Sequence, residues 1–112
     1  MKSTFKVHWA DVAESDLIEI VEYIAEDNPS AARRVFKEIT ERAEHLCHTP
    51  EKCRVVPELL DQGIAIYREM IVAPWRIIYK IEKKNVFVLS VIDGRRKVED
   101  VLLYRLATRK LR

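Results

Sequence analysis

Trp75-Arg76-Ile77-Ile78-Tyr79-Lys80-Ile81 alternates a bulky apolar set of residues with a set that carries two cations. Side chains of a strand point to opposite faces with a period of two. Trp75, Ile77, Tyr79 and Ile81 therefore share one face, and their bulk suits packing against helices. Arg76, Ile78 and Lys80 belong to the other, which is expected to be exposed or concave. Strands of similar texture flank this one, at about 64–72 and about 86–92, separated from it by Ala73-Pro74 and Lys83-Lys84-Asn85. Connections this short require antiparallel neighbours. Each strand carries an arginine inside or at its end: Arg68, Arg76 and the Arg95-Arg96 pair. A guanidinium keeps its charge and is costly to bury alone. Its recurrence suggests a surface kept for an anionic or acidic partner, with register expected to bring Arg68 and Arg95-Arg96 towards the Arg76 face.

Upstream, Thr4 to Trp9 alternates polar and apolar residues and reads as a first short strand. Asp11 is placed as the N-cap of a helix, with Glu14 as its capping-box partner. Ala13, Leu17, Ile20, Val21 and Ile24 then form one apolar stripe, ended by Pro29. Asn28 can cap a second helix with Pro29 at its first position, and Ala32, Val35, Phe36, Ile39, Ala43 and Leu46 make its stripe up to Thr49-Pro50. Trp9 and Tyr23 are assigned to the core. Residues 51–63 read as an extended connection. From Lys97 a last helix begins, with Val98, Val101, Leu102 and Leu106 on one face and a basic end, Lys110 to Arg112. The expectation is one α+β domain over residues 1–112: an antiparallel sheet with a two-helix hairpin on one face and a C-terminal helix.

Apolar residues make up 48% of the 112 and charged residues 34%, a globular balance. No apolar run approaches the roughly 18 residues of a membrane span, and Met1-Lys2-Ser3-Thr4-Phe5-Lys6 has no signal-peptide core behind it, so a cytoplasmic protein without a membrane partner is expected. The net charge of +2 hides a division: residues 1–67 carry 8 Lys/Arg and 13 Asp/Glu, a net of −5, and residues 68–112 carry 12 and 5, a net of +7. Such asymmetry fits a phosphate backbone or an acidic protein. Cys47 and Cys53, with His45 and His48, form H-x-C-H-x4-C, which matches no usual zinc spacing. Free thiols are expected, with neither a metal nor a disulfide.

Arg68-Glu69-Met70-Ile71-Val72, Trp75 to Ile81 and Val88-Leu89-Ser90-Val91-Ile92-Asp93-Gly94-Arg95-Arg96 together resemble the strand core of the RelE/ParE toxin superfamily. Ala13…Asp16-Leu17…Ile20…Tyr23-Ile24 and Ala31-Ala32…Phe36 resemble its helical hairpin, so the likeness runs from Val7 to about Leu106. The resemblance implies a small toxin of a type II toxin–antitoxin module, neutralised by a cognate antitoxin that wraps around it, and no cofactor. In the ribosome-dependent RNase branch, basic residues on the concave sheet face cleave mRNA without metal, which needs a base, an acid and cations for the developing phosphorane charge. Arg76 matches that branch's third-strand arginine and Arg95 or Arg96 the one after the fourth strand; Arg68 stands at a lysine position. Met70 falls where a second lysine is expected, and Val101 or Leu102 where a tyrosine is, with Tyr104 close but on another helical bearing. An incomplete acid–base set points to the ParE branch, of plasmid stabilisation systems, whose members poison DNA gyrase without being enzymes.

The leading expectation is thus a ParE-like toxin with Arg68, Arg76, Arg95 and Arg96 binding the target and Val98, Val101, Leu102 and Tyr104 meeting the antitoxin. The second is a RelE-like endoribonuclease acting on mRNA at the ribosome through Arg68, Arg76, Arg96 and Tyr104. The third is a non-toxic member that only binds its antitoxin.

Overall fold

The computed structural model describes residues 5–111. Its sheet has four strands in the order β1-β4-β3-β2: β1 (Lys6–Trp9), β2 (Tyr67–Val72), β3 (Trp75–Glu82) and β4 (Asn85–Asp93). The meander is antiparallel as its short turns require, with Arg76 opposite Ile71 on β2 and Ile92 on β4. The N-terminal strand departs from expectation. It runs parallel to β4, Lys6 beside Asn85 and Trp9 beside Val88, so the sheet is mixed. No tight turn joins β1 to the meander; helices intervene, and a crossover of that length permits a parallel partner. Thr4, included in the expected strand, and Arg112, in the expected basic end, lie outside the described residues.

Helix α1 (Asp11–Ala25) begins at Ala10, which caps without a side-chain bond; Asp11 is the first helical residue and not the N-cap. Asp11 and Glu14 in the first turn still complement the helix dipole. For α2 (Pro29–Glu44) the sequence reading holds: the Asn28 side chain accepts the Ala31 N–H at 3.0 Å and Pro29 opens the helix. The stretch after it is not extended throughout. Two short 3-10 turns lead to α3 (Pro57–Leu60), a single turn too brief to show periodicity. The last helix among the described residues is α4 (Val98–Ala107). No helix among the described residues is long and apolar enough to cross a membrane.

The period of two in β3 sorts two cores, one on each face. Ile77 and Tyr79 join Ala13, Leu17, Ile39, Ala43, Val88 and Val91 beneath the α1–α2 hairpin, with Trp9 and Trp75 packed at its margin. Ile78 joins Val56, Leu59, Tyr67, Leu89, Ile92, Val98, Leu102 and Leu111 beneath α3 and α4. A bulge makes this possible in β4: Ile78 pairs with Ser90 but Tyr79 with Val88, leaving Leu89 as the extra residue. The second face is therefore covered, not open. Tyr23, assigned to the core from the sequence, is 76% exposed on the outer side of α1.

Candidate functional site

Arg76 leaves the expected face as intended by its parity, yet it arrives in a closed ion cluster. Its Nε donates to Glu69 Oε1 at 2.6 Å, and its two terminal nitrogens grip Glu58 of α3 at 2.7 and 2.6 Å. Arg54 holds the other oxygen of Glu69. Two cations meet two carboxylates, and only 9% of Arg76 and 1% of Glu69 remain accessible. Bidentate, charge-assisted geometry of this kind offsets the desolvation of the ions. The bond to Arg76 holds the Glu58 carboxyl below its ordinary range, and the bond to Glu58 pushes the Arg76 guanidinium up. A Cβ on Gly94 would stand 2.9 Å from the Pro74 carbonyl oxygen and 3.3 Å from Arg76 Cδ, so glycine is what lets the turn close over the arginine stem. Arg76 is thus no free anion site. Glu69 lies on the neighbouring strand of the same meander, whereas Glu58 comes from α3, which the sequence did not announce.

Arg68 does not join it. Opposite Tyr79 in the register, Arg68 lies on the hairpin face of the sheet, where it donates to the Cys53 carbonyl at 2.6 Å. Arg95 folds back on Asp93, with Nε–Oδ1 2.9 Å and a terminal nitrogen 2.6 Å from Oδ2, and these bonds pull the Asp93 carboxyl down to about 2. It caps the turn that ends β4. Arg96 is the exception among the four, since its side chain makes neither an ion pair nor a hydrogen bond among the described residues, whereas Arg68 has its bond to Cys53.

Arg96 opens into a groove of about 610 Å³ between α1 and α4, lined by Asp11, Val12, Ser15 and Glu19 on one side and Asp100, Val101 and Tyr104 on the other, with Lys110 at its end. Tyr104 is 63% exposed there. Glu19 and Arg96 also line a second cavity of about 420 Å³, which continues along α1 past Ile20, Tyr23 and Ile24 to Trp75. The two form one trough along α1, a helix of 15 residues, hence about 22 Å long. Its Asp11, Ser15, Glu19 and Tyr23 recur every fourth residue, so they share one side of the helix.

The floor of this trough contains a residue the sequence reading missed. Arg105 of α4 clamps Asp16 of α1 at 2.7 and 2.9 Å and donates to Ser90 at 2.8 Å. Asp16 also accepts the Val91 N–H at 2.9 Å. The pairing of β1 stops at Val88, so Val91 has no strand partner on that side, and the buried Asp16 supplies the missing acceptor. An aspartate beside Leu17 on the buried side of an amphipathic helix was the available signal.

The residues expected to meet an antitoxin divide in the same way. Val98 (4% exposed) and Leu102 (0%) belong to the second core and are corrected from surface to structural positions. Val101 is half-buried at the groove wall, and Tyr104 faces out. The four residues expected of a nuclease do not converge: Arg68 is on one face, Arg76 is closed in an ion cluster on the other, and only Arg96 and Tyr104 share a groove. Tyr79, also on the sheet, has its hydroxyl bonded to the Pro50 carbonyl, and burial pushes its phenol far above the ordinary range. No group of three or more His, Cys, Asp or Glu among the described residues is placed to hold a metal.

The family model of the ParE toxin of the type II toxin–antitoxin system parDE matches residues 7–98, most of the chain. Among solved structures, the fold is similar to that in the chromosomal ParDE system from P. aeruginosa, with a TM-score of 0.68 and 16% identity over 82% of this chain and 98% of that one. It is also similar to a chain of the RelBE2 toxin–antitoxin complex from Mycobacterium tuberculosis, with a TM-score of 0.58 and 18% identity over 83% and 94%. No curated protein matches the chain. The chain belongs to the ParE toxin family of type II toxin–antitoxin systems.

Proposed function

We propose that this ParE-family toxin arrests growth by inhibiting DNA gyrase through protein contacts, and that its cognate antitoxin silences it by lying in the trough along α1. The observation that carries this reading is the dispersal of the cations. A phosphate-cleaving site needs its charged and acid–base groups within hydrogen-bond reach of one reacting centre. Arg76 is instead neutralised by Glu58 and Glu69, and Arg68 faces away from it. Arg96 and Tyr104 remain accessible, and cations without an acid–base partner bind more readily than they cleave.

The trough suits an elongated segment of a partner. Its Trp75 end offers Ile20, Tyr23 and Ile24 for apolar anchors, and Arg96 stands where the two cavities meet. The other half carries Lys110 among Asp11, Glu19 and Asp100, so it offers both signs of charge to a partner. Supercoiling by purified gyrase, with the toxin in stoichiometric excess, tests the target: unchanged supercoiling removes gyrase from the proposal. Cleavage of a reporter mRNA at defined codons in a translating extract would replace it with the endoribonuclease reading. Normal growth on expression of the chain alone would leave only the antitoxin-binding role.

A further inference from the structure

A second charged surface lies at the far end of the sheet. Lys6 and His8 are exposed on β1, on the same face as their neighbours Asn85 and Phe87 of β4. The His8 ring stacks on Phe87, centroids 5.0 Å apart and planes 22° from parallel, and its Nε2 is 2.9 Å from Asn85 Oδ1. Phe87 stands opposite Lys80 of β3, so His8, Phe87 and Lys80 form a row across three strands. Lys83 and Lys84, both exposed, form the turn at the edge of this patch, and the Lys84 carbonyl accepts the Lys6 N–H at 2.9 Å. Lys6, Lys80 and Lys83 border the ring pair, with Lys80 bonded to Glu82 at 2.9 Å; the Lys84 ammonium turns to the other face of the sheet, 5.3 Å from the centroid of the Phe5 ring.

We infer that this patch binds single-stranded nucleic acid, a role independent of the trough. Such strands are held by cations along the phosphate backbone and by rings on which bases stack. Here both are present and the ring is oriented in advance: Phe87 supports one side of His8, Asn85 fixes its edge, and no strand among the described residues lies beyond β1 to cover its other side. Lysine ammonium groups serve phosphates as point charges, whereas the bidentate arginines of this chain are engaged with its own carboxylates. Asn85 and Asp93 are the two ends of β4, about 26 Å apart, so the patch is remote from Arg96.

The test is fluorescence anisotropy of the full chain with a labelled strand of about twelve nucleotides, as RNA and as DNA, across a salt series. Binding is expected to weaken with salt, with a log–log slope of about −0.7 for each phosphate neutralised, and Lys6→Ala with Lys83→Ala should make that slope shallower by about 1.4. His8→Ala should weaken binding about five-fold or more, while leaving an abasic strand of equal length unaffected. Arg96→Ala should bind as the parent does. Retention of neither strand at low salt overturns the inference, as does equal binding of poly-glutamate, an unchanged affinity in His8→Ala, or loss of binding in Arg96→Ala. Circular dichroism confirms that each variant, all at exposed positions, remains folded.

Discussion

Replacing Arg76 by alanine should damage the fold before it damages any contact with a target. The substitution removes the central cation of the cluster and leaves Glu69, 1% exposed, with Arg54 as its remaining partner. Arg54 is itself 59% exposed, so its attraction is screened by water. Glu58 loses both of its bonds to Arg76. Removing one member of a buried ion cluster costs about 3–5 kcal/mol, because the remaining charge is left without compensation. With a urea dependence of about 2 kcal/mol/M, the unfolding midpoint should fall by roughly 2 M. Arg96→Ala is a surface change and should stay within about 0.5 kcal/mol of the parent. Replacing Arg76 and Glu69 together with methionine should recover a large part of the loss, since apolar isosteres substitute well for buried ions. Urea denaturation followed by circular dichroism measures all three. An Arg76→Ala midpoint within about 0.5 M of the parent would refute the assignment of Arg76 to the scaffold and return it to the functional surface.

Other expectations follow from the same geometry. Asp16→Ala should destabilise by about 3 kcal/mol or more, since it strands the Arg105 guanidinium and the Val91 N–H; faster hydrogen exchange at Val91 than at Ile77 would identify the lost acceptor, and unchanged exchange would contradict its role. Glu58 and Asp93 have carboxyls held below their ordinary range by arginines, so each contributes stability that is present above the unfolded carboxylate pKa near 4 and is lost as pH falls through the lower folded value, about 2 for Asp93. Glu58→Gln should therefore flatten the acid side of the stability–pH curve, and an identical slope in mutant and parent would exclude that linkage. Tyr104→Ala should keep its unfolding midpoint but weaken antitoxin affinity by about ten-fold or more, as truncation of an exposed aromatic anchor does; calorimetric titration with parental affinity would place the antitoxin elsewhere.

Much of the architecture was legible because short-range rules governed it. Ala73-Pro74 and Lys83-Lys84 forced the meander, and Asn28-Pro29 forced the break between the two long helices. Parity separated Ile77 and Tyr79, beneath the hairpin, from Ile78 on the opposite face, whose cover by α3 and α4 it did not foresee. The departures share a cause in contacts distant along the chain. The parallel pairing of β1, the single turn of α3 and the burial of Val98 and Leu102 depend on which surfaces meet after folding. Within the candidate site, Arg96 and Tyr104 were named from sequence, whereas Arg105 and Asp16 act across 89 positions and left only a weak trace.

Sequence alone determined which residues are charged, which strand face each occupies and where the chain must turn, since those follow from side-chain chemistry and backbone period. It also carried the family. Tertiary structure decided which charges are available to a partner. A guanidinium on a strand reads the same whether it faces water or a carboxylate, and the difference at Arg76 is made by Glu58, brought 18 positions along the chain to within 2.7 Å. Coulomb attraction depends on that distance in space, which the order of residues does not record.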